Sequence, residues 1–252
     1  MVLEVSRIRS KTEIAPGIFD FWLDAPQVAQ NVRPGQFVTV GCEGFTLRRP
    51  ISICDAENGR LRLVVEARGD GTRWIAQREA GETLSLLGPL GNGFFLSNTS
   101  LPSVFVGGGI GTPPMLAAAK PFGAYATVIL GFRSASSVIL KEDFERLGAS
   151  VTLCTDDGTA GRHGVVTAPL EERLDAGPCK TVYACGPKPM LKAVAAACDA
   201  RGIPCMVSME ERMACGVGAC HACACKVKFE GREQYFHVCS NGPVFSSKMI
   251  VW

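Results

Sequence analysis

Ser103-Val104-Phe105-Val106-Gly107-Gly108-Gly109-Ile110-Gly111-Thr112-Pro113-Pro114-Met115 decides how the chain is read. An apolar run this short, bounded by turn residues, has the pattern of a strand buried in a parallel sheet. The glycines allow backbone to approach a ligand phosphate, and the alanine-rich segment from 116 onward supplies a helix start with free N–H groups. Two prolines in that first turn are tolerated. The spacing is not the usual dinucleotide fingerprint, because no third glycine follows two residues on.

Downstream, the alternation repeats. Strand patterns fall at 126–130, 151–154, 181–184 and 205–208, with helical patterns at 137–147 and 188–201. This βα repetition predicts a parallel sheet with helices on both faces. Ligands of such sheets sit at the C-terminal strand ends, where Gly107, Gly108, Gly109 and Gly111 fall together with Cys185, Gly186 and Pro187. Cys185 has no His or basic neighbour in sequence to make it a nucleophile, so it reads as a small residue in a close-packed turn. His163, between glycines, reads as an exposed loop residue.

Upstream, residues 1–98 read as a small antiparallel barrel. Short β-branched or alternating runs at 2–8, 17–23, 36–40, 51–54, 61–66 and 83–87 are separated by Pro16-Gly17, Pro34-Gly35, Asn58-Gly59 and Ala80-Gly81. Within it, Arg48-Arg49-Pro50-Ile51-Ser52-Ile53 puts a guanidinium beside a hydroxyl on one strand edge, a pairing suited to phosphate. Gly71-Thr72 lies in a glycine-bearing turn before a short helix, whose free amides also suit a pyrophosphate. Each has an ordinary reading as well: a solvated arginine and a plain capping turn.

Near the C-terminus the sequence reads Cys215-Gly216-Val217-Gly218-Ala219-Cys220-His221-Ala222-Cys223, answered by Cys239. The Cys-x4-Cys-x2-Cys spacing with a distant fourth cysteine is the plant-type ferredoxin arrangement, which holds a 2Fe-2S cluster. The glycines let the loop wrap closely and aim N–H groups at sulfur. Structural zinc is the competing reading, but zinc ribbons separate two short cysteine knuckles, whereas here three ligands share one loop. Cys225 competes with Cys223, which keeps the x2 spacing. Cysteines such as Cys42, Cys154 and Cys198 lie singly in apolar segments, as reduced buried thiols do.

Composition bounds the rest. The chain has 252 residues, 47% of them hydrophobic, with 26 Lys+Arg against 24 Asp+Glu and a formal charge of +2. It is long enough for two or three compact units. No basic block appears, which argues against nucleic acid, and no apolar run reaches the roughly 18 residues of a membrane span. With no secretory signal at Met1-Val2-Leu3-Glu4 and twelve cysteines, a cytoplasmic protein is expected.

Taken in order, Arg49-Pro50-Ile51-Ser52, Gly71-Thr72, Leu87 to Phe94 (LGPLGNGF), Gly107 to Gly111, Cys185 to Leu191 (CGPKPML) and the cysteine loop closed by Cys239 to Phe245 (CSNGPVF) resemble the electron-transfer subunits of dihydroorotate dehydrogenase B, within the ferredoxin reductase-like family. The resemblance covers almost the whole chain. It implies an FAD-binding β-barrel over 1–98, an NAD-binding α/β domain over 99–208 and a 2Fe-2S module over 209–252. It gives Arg49, Pro50, Ile51, Ser52, Val64, Val65, Glu66, Gly71 and Thr72 to FAD, the two glycine-bearing loops to NAD(H), and Cys215, Cys220, Cys223 and Cys239 to the cluster. Relatives carry an aromatic and a basic residue on the middle flavin strand, and Val65-Glu66 supplies neither.

By the same resemblance the chain passes electrons between NAD(H), FAD and the cluster. Its partner would be an FMN-bearing catalytic subunit, in a heterotetramer oxidising dihydroorotate to orotate for pyrimidine synthesis. No acid, base or nucleophile of the chain is required. Other readings are a reductase subunit of another pathway (sulfide dehydrogenase, ferredoxin:NADP⁺ transhydrogenase or oxygenase reductase) and a zinc-binding interaction module. Gly131-Phe132-Arg133-Ser134 is compatible with NADH or NADPH. Phe245 and Trp252 read as packing residues rather than flavin-stacking ones.

Overall fold

The strands foreseen before residue 98 close on themselves. In a computed structural model describing residues 1–252, β1 (Val2–Ala15), β2 (Ile18–Asp24), the short α1 (Pro26–Ala29), β3 (Phe37–Gly41), β4 (Arg49–Glu57), β5 (Arg60–Glu66), α2 (Asp70–Ala76) and β6 (Thr83–Leu90) form an antiparallel barrel of order β1-β2-β5-β4-β3-β6. Alternation fills it: Phe21 and Leu23, Val38 and Val40, Leu61 and Leu63, Leu84 and Leu86 point inward and are buried.

Two features of the barrel matter later. Strand β4 changes partner along its length, pairing with β3 through Arg49–Ser52 and with β5 only from Ile53 onward. And β1 runs well past the predicted run, forming a long hairpin with β2.

The second half is βα-alternating, as expected: β7 (Ser103–Gly108), α3 (Thr112–Ala119), β8 (Ala126–Phe132), α4 (Lys141–Arg146), β9 (Ser150–Thr155), β10 (Arg162–His163), α5 (Thr167–Asp175), β11 (Val182–Cys185), α6 (Lys188–Asp199) and β12 (Cys205–Ser208). The sheet order is β10-β9-β8-β7-β11-β12-β15, with β15 (Val244–Ser246) antiparallel on the far edge. Chain order reverses at β7, which lies between β8 and β11, so the crevice between β7 and β11 is the topological switch point where such sheets bind ligands.

The helix predicted over 137–147 is broken instead. A 3₁₀ turn at Ala135–Ser137 gives way to extended chain, Leu140 adopts φ 61°, and α4 covers only Lys141–Arg146. Two local features break it. The Ser137 hydroxyl ties itself to both backbone groups of Ser134, and Leu140 takes a left-handed conformation just before α4. Helix α5 and the hairpin of β13 (Ala224–Phe229) and β14 (Arg232–His237) were not foreseen.

The C-terminal segment is sewn to the sheet: Val207 pairs with Phe245, and one continuous core joins Val194 and Cys198 of α6 to Cys223, Val227, Cys239 and Phe245. The packing reading of Phe245 agrees with its burial there.

Charge fixes the barrel against the sheet. Arg62 on β5 is buried and binds Asp20 through Nε and Nη2 at 3.0 and 2.8 Å, while its Nη1 reaches Asp143 of α4 at 2.7 Å. Lys120, after α3, bonds Asp55 of β4 at 2.7 Å. Asp143→Asn should therefore weaken only the arm between the domains, costing about 1–3 kcal/mol. Arg62→Met strands a buried carboxylate and should cost about 3–5 kcal/mol. Thermal unfolding of the two variants checks that order, and equal losses would refute it.

Candidate functional site

The partner change of β4 opens a slot in the barrel wall. Continuing the register Ile53↔Leu63 would set Ser52 opposite Val64, Ile51 opposite Val65 and Pro50 opposite Glu66, and none of these pairs forms. Both sets of residues singled out for FAD therefore face one another across an unzipped stretch. The side chains of Val64 and Val65 are buried in packed cores. At Val64 and Val65, what β5 presents to the slot is therefore main chain.

Arg48 and Arg49 part company. Arg49 folds over the first turn of α2: a Cβ added to Gly71 would fall 2.0 Å from its Nε. The guanidinium also lies 5.0 Å from the Phe45 ring. Thr72 Oγ1 accepts N–H bonds from Arg68 and Gly69 at 3.0 Å, closing the turn. The result is a cation poised over a helix start at one end of the slot, suited to a pyrophosphate. Arg48 turns the other way, across the outside of β3 and β6, where it donates to Thr39 O and Ser85 O.

At the switch point, the loops after β7 and β11 touch backbone to backbone. A Cβ on Gly111 would lie 2.4 Å from Cys185 O, and one on Gly108 would meet Met190 Sδ at 2.5 Å. Gly107 is level with Cys185 in the sheet. The geometry thus brings Gly107, Gly108, Gly109, Gly111, Cys185, Gly186 and Pro187 to one crevice. Burial drives the Cys185 thiol up to about 12, against a weaker pull from Ser208. It is neutral at physiological pH and no nucleophile. His163 is exposed, and Arg133 is exposed beside the paired Ser134 and Ser136 hydroxyls.

The cysteine loop has backbone amides aimed at all four sulfurs. Cys215 Sγ accepts from Val217 N at 3.4 Å and Ala219 N at 3.3 Å, Cys220 Sγ from Cys215 N at 3.4 Å, Cys239 Sγ from Gly218 N at 3.1 Å, and Cys223 Sγ from Cys239 N at 3.4 Å. Gly218 takes φ 87°, which brings its amide to Cys239. Burial opposes ionisation of Cys215, but hydrogen bonds from the Val217 amide, the Cys220 thiol and the Cys220 and Ala219 amides outweigh it and bring the thiol down to about 6. Burial and the adjacent Cys223 push Cys239 up to about 12. No three His, Cys, Asp or Glu side chains converge on a single ion position. The donor set (three sulfurs of one loop and the distant Cys239, each in an amide cradle) fits a cluster better than one tetrahedral ion. Cys225 stands apart, buried in the core with no polar partner.

The loop is seated on the barrel. A Cβ on Gly216 would be 3.0 Å from Thr39 Cγ2, and Thr39 is level with Pro50 on β4. Asn92 fastens the return segment, its N–H donating to Gly242 O at 2.6 Å and its Nδ2 to Asn241 O at 3.0 Å. Sequence reading missed Thr39, which carries no motif signal, and quoted Asn92 without a role.

Comparison with solved structures defines the class. The fold matches the NADH-dependent reduced ferredoxin-NADP oxidoreductase studied for flavin-based electron bifurcation, with TM-score 0.88 and 30% identity over 99% of this chain and 90% of that one. The ferredoxin reductase of carbazole 1,9a-dioxygenase shares the fold, with TM-score 0.69 and 22% identity over 81% of this chain and 67% of that chain. The chain is thus an NAD-dependent iron-sulfur flavoprotein oxidoreductase subunit of ferredoxin reductase-like fold.

Residues 210–251 match the family described as the iron-sulfur cluster binding domain of dihydroorotate dehydrogenase B. The chain is 38% identical over 249 residues to the dihydroorotate dehydrogenase B (NAD(+)) electron transfer subunit of Caldanaerobacter subterraneus subsp. tengcongensis, covering 98% of both. It is 40% identical over 255 residues to that of Geobacillus kaustophilus, covering 97% of this chain and 96% of the other. The chain belongs to the family of dihydroorotate dehydrogenase B electron-transfer subunits.

The two close approaches separate the sites experimentally. Gly71→Ala displaces Arg49 and should weaken flavin retention, whereas Gly111→Ala forces the nucleotide loops apart and should weaken NADH binding with flavin and iron content unchanged. Overpacking of about 1–3 kcal/mol corresponds to roughly 5- to 150-fold in affinity. Flavin absorbance per chain and NADH titration distinguish them, and loss of both cofactors in either variant would contradict the separation.

Proposed function

We propose that this chain carries electrons between NAD(H) and an FMN-bearing dihydroorotate dehydrogenase catalytic subunit, in the cytoplasm and as a heterotetramer of two chains of each kind. The net reaction of the assembly is dihydroorotate plus NAD⁺ to orotate plus NADH. The division of labour runs over 1–98 for FAD, 99–208 for NAD(H) and 209–252 for the cluster, with β15 lending its strand to the middle part. Bound FAD exchanges two electrons with a nicotinamide and single electrons with a 2Fe-2S centre, so it joins two otherwise incompatible carriers.

The protein's contribution is placement. Arg49, Pro50, Ile51 and Ser52 line one side of the slot, main chain of Val64, Val65 and Glu66 the other, and Gly71 and Thr72 hold the pyrophosphate end. The paired loops of Gly107 to Gly111 and Cys185 to Pro187 admit the nicotinamide nucleotide. Cys215, Cys220, Cys223 and Cys239 hold the cluster. The observation that carries this reading is the seat of Gly216 on Thr39, one strand from Pro50: cluster loop and flavin strand share a single layer of the barrel wall.

The purified chain should contain FAD and about two irons and two acid-labile sulfides. Cys223→Ser should lose the iron while Cys225→Ser keeps it; the reverse would move the ligand assignment. Mixed with the FMN-bearing subunit, the chain should support dihydroorotate-dependent reduction of NAD⁺. A second reading, as a subunit of a ferredoxin-NADP oxidoreductase, is favoured by the 30% identity to that structure. Reduction of NADP⁺ by reduced ferredoxin, without any response to dihydroorotate, would select it.

A further inference from the structure

Two histidines flank the cysteine set without contributing to any of the three cofactor sites. His221 lies between Cys220 and Cys223, and His237 lies two residues before Cys239. Their rings meet edge to face with centroids 4.3 Å apart. His237 Nε2 is 2.9 Å from His221 Nδ1, one nitrogen donating and the other accepting. To make this contact His221 takes φ 59°, a left-handed conformation uncommon outside glycine. Two exposed rings in chance contact would need neither that backbone nor facing nitrogens. No third donor converges on the pair, so it is not an ion site of its own.

The two rings stand on unequal supports. His237 is firmly held: its N–H donates to Asn241 Oδ1 at 2.9 Å, and its carbonyl accepts the N–H groups of Ser240, Asn241 and Gly242 at 3.2, 2.8 and 3.3 Å. It pairs with Ala224 across the β13–β14 hairpin. The next residue, Val238, donates to Cys223 O at 2.9 Å, and Asn92, just past β6, grips Asn241 and Gly242. This frame carries Cys223 and Cys239, both buried. Cys220 lies outside it. Its side chain is exposed, and its Sγ accepts a single N–H, from Cys215 of the same loop. The neighbouring ring of His221 is what reaches from this turn to the frame.

We infer that His221 and His237 are positioning residues of the cysteine site: their shared hydrogen bond is a clasp that holds the exposed Cys220 to the frame of Cys223 and Cys239, and it slows loss of iron from the solvent side. This rests on the four cysteines being the cluster ligands and adds the pair that keeps the outermost of them in place. A site with several ligands empties through the one that comes off first, because water or a chelator then takes the open position. Groups that orient ligands without touching metal govern that step.

The nitrogens in use choose the variants. Asn sets its amide near the place of His Nδ1 and tolerates positive φ, and Gln reaches as far as His Nε2, so His221→Asn and His237→Gln keep the bond. His221→Leu and His237→Phe remove it. In the full chain, purified without oxygen and assayed first for iron and sulfide, the Leu and Phe variants should lose iron to a chelator at least about tenfold faster than wild type. The electron paramagnetic resonance signal of the reduced chain should change shape with them. Both amide variants should keep the wild-type rate and signal. The double variant His221→Leu/His237→Phe should be no worse than either single one, since each breaks the same bond. FAD content should be equal throughout. Wild-type rates in the Leu and Phe variants overturn the clasp, as do amide variants as labile as the apolar ones or additive losses in the double variant. Apolar variants that never load iron while the amide variants do would support it. Wild-type chain without iron and sulfide defeats the cluster reading itself and the clasp with it, a result distinct from any of these.

Discussion

The structure depends on a strand that leaves one neighbour for another. In an antiparallel barrel each main-chain N–H and C=O is normally spent on an adjacent strand. Here β4 abandons β5 beyond Ile53, and the edges of 49–52 and 64–66 are left facing each other without pairing. Those edges are open to water or to a bound group, and a flavin ring offers acceptors and donors along one edge. The same departure lets β4 close against β3, and β3 is the strand on which the cluster loop sits. One change of partner thereby sets both neighbours of the site.

The remaining neighbour, the nucleotide crevice, is held to the slot by charge on the same two strands. Lys120 follows the helix that leaves the first glycine loop and binds β4; Asp143 on α4, two elements further on, binds Arg62 of β5. Bidentate Arg62–Asp20 geometry in a buried setting is directional, so it fixes an orientation as well as a distance. A hydride donor that must lie against a flavin needs that orientation more than it needs extra stability.

Much of this was legible in the sequence because the signals are local. Turn dipeptides set the barrel strands, the glycine loop after an apolar run marked the parallel sheet, and cysteine spacing marked the cluster loop. What escaped depends on contacts distant in sequence. Nothing in Arg48-Arg49 says that one guanidinium goes to the outside of β3 and the other to α2. Nothing in Val244 to Ser246 says that it will extend a sheet begun at Ser103. The alternation of Cys225 and Val227 with Lys226 and Lys228, closed by Glu230-Gly231, was a readable hairpin signal, overshadowed by the cysteines beside it. The break before α4 came from serine side chains competing for the backbone, which a period-based reading counts as helix.

The cysteine loop is not symmetric. Of the proposed ligands, Cys215 and Cys220 lie toward solvent and together accept three backbone N–H bonds, whereas Cys223 and Cys239 are buried and accept two. Added negative charge is stabilised by amide dipoles and by water, and penalised by burial. Were a 2Fe-2S cluster held by these four sulfurs, the outer pair would be the better place for added negative charge. The fold supplies that gradient without a moving part, by burying two of the sulfurs and leaving two near the surface.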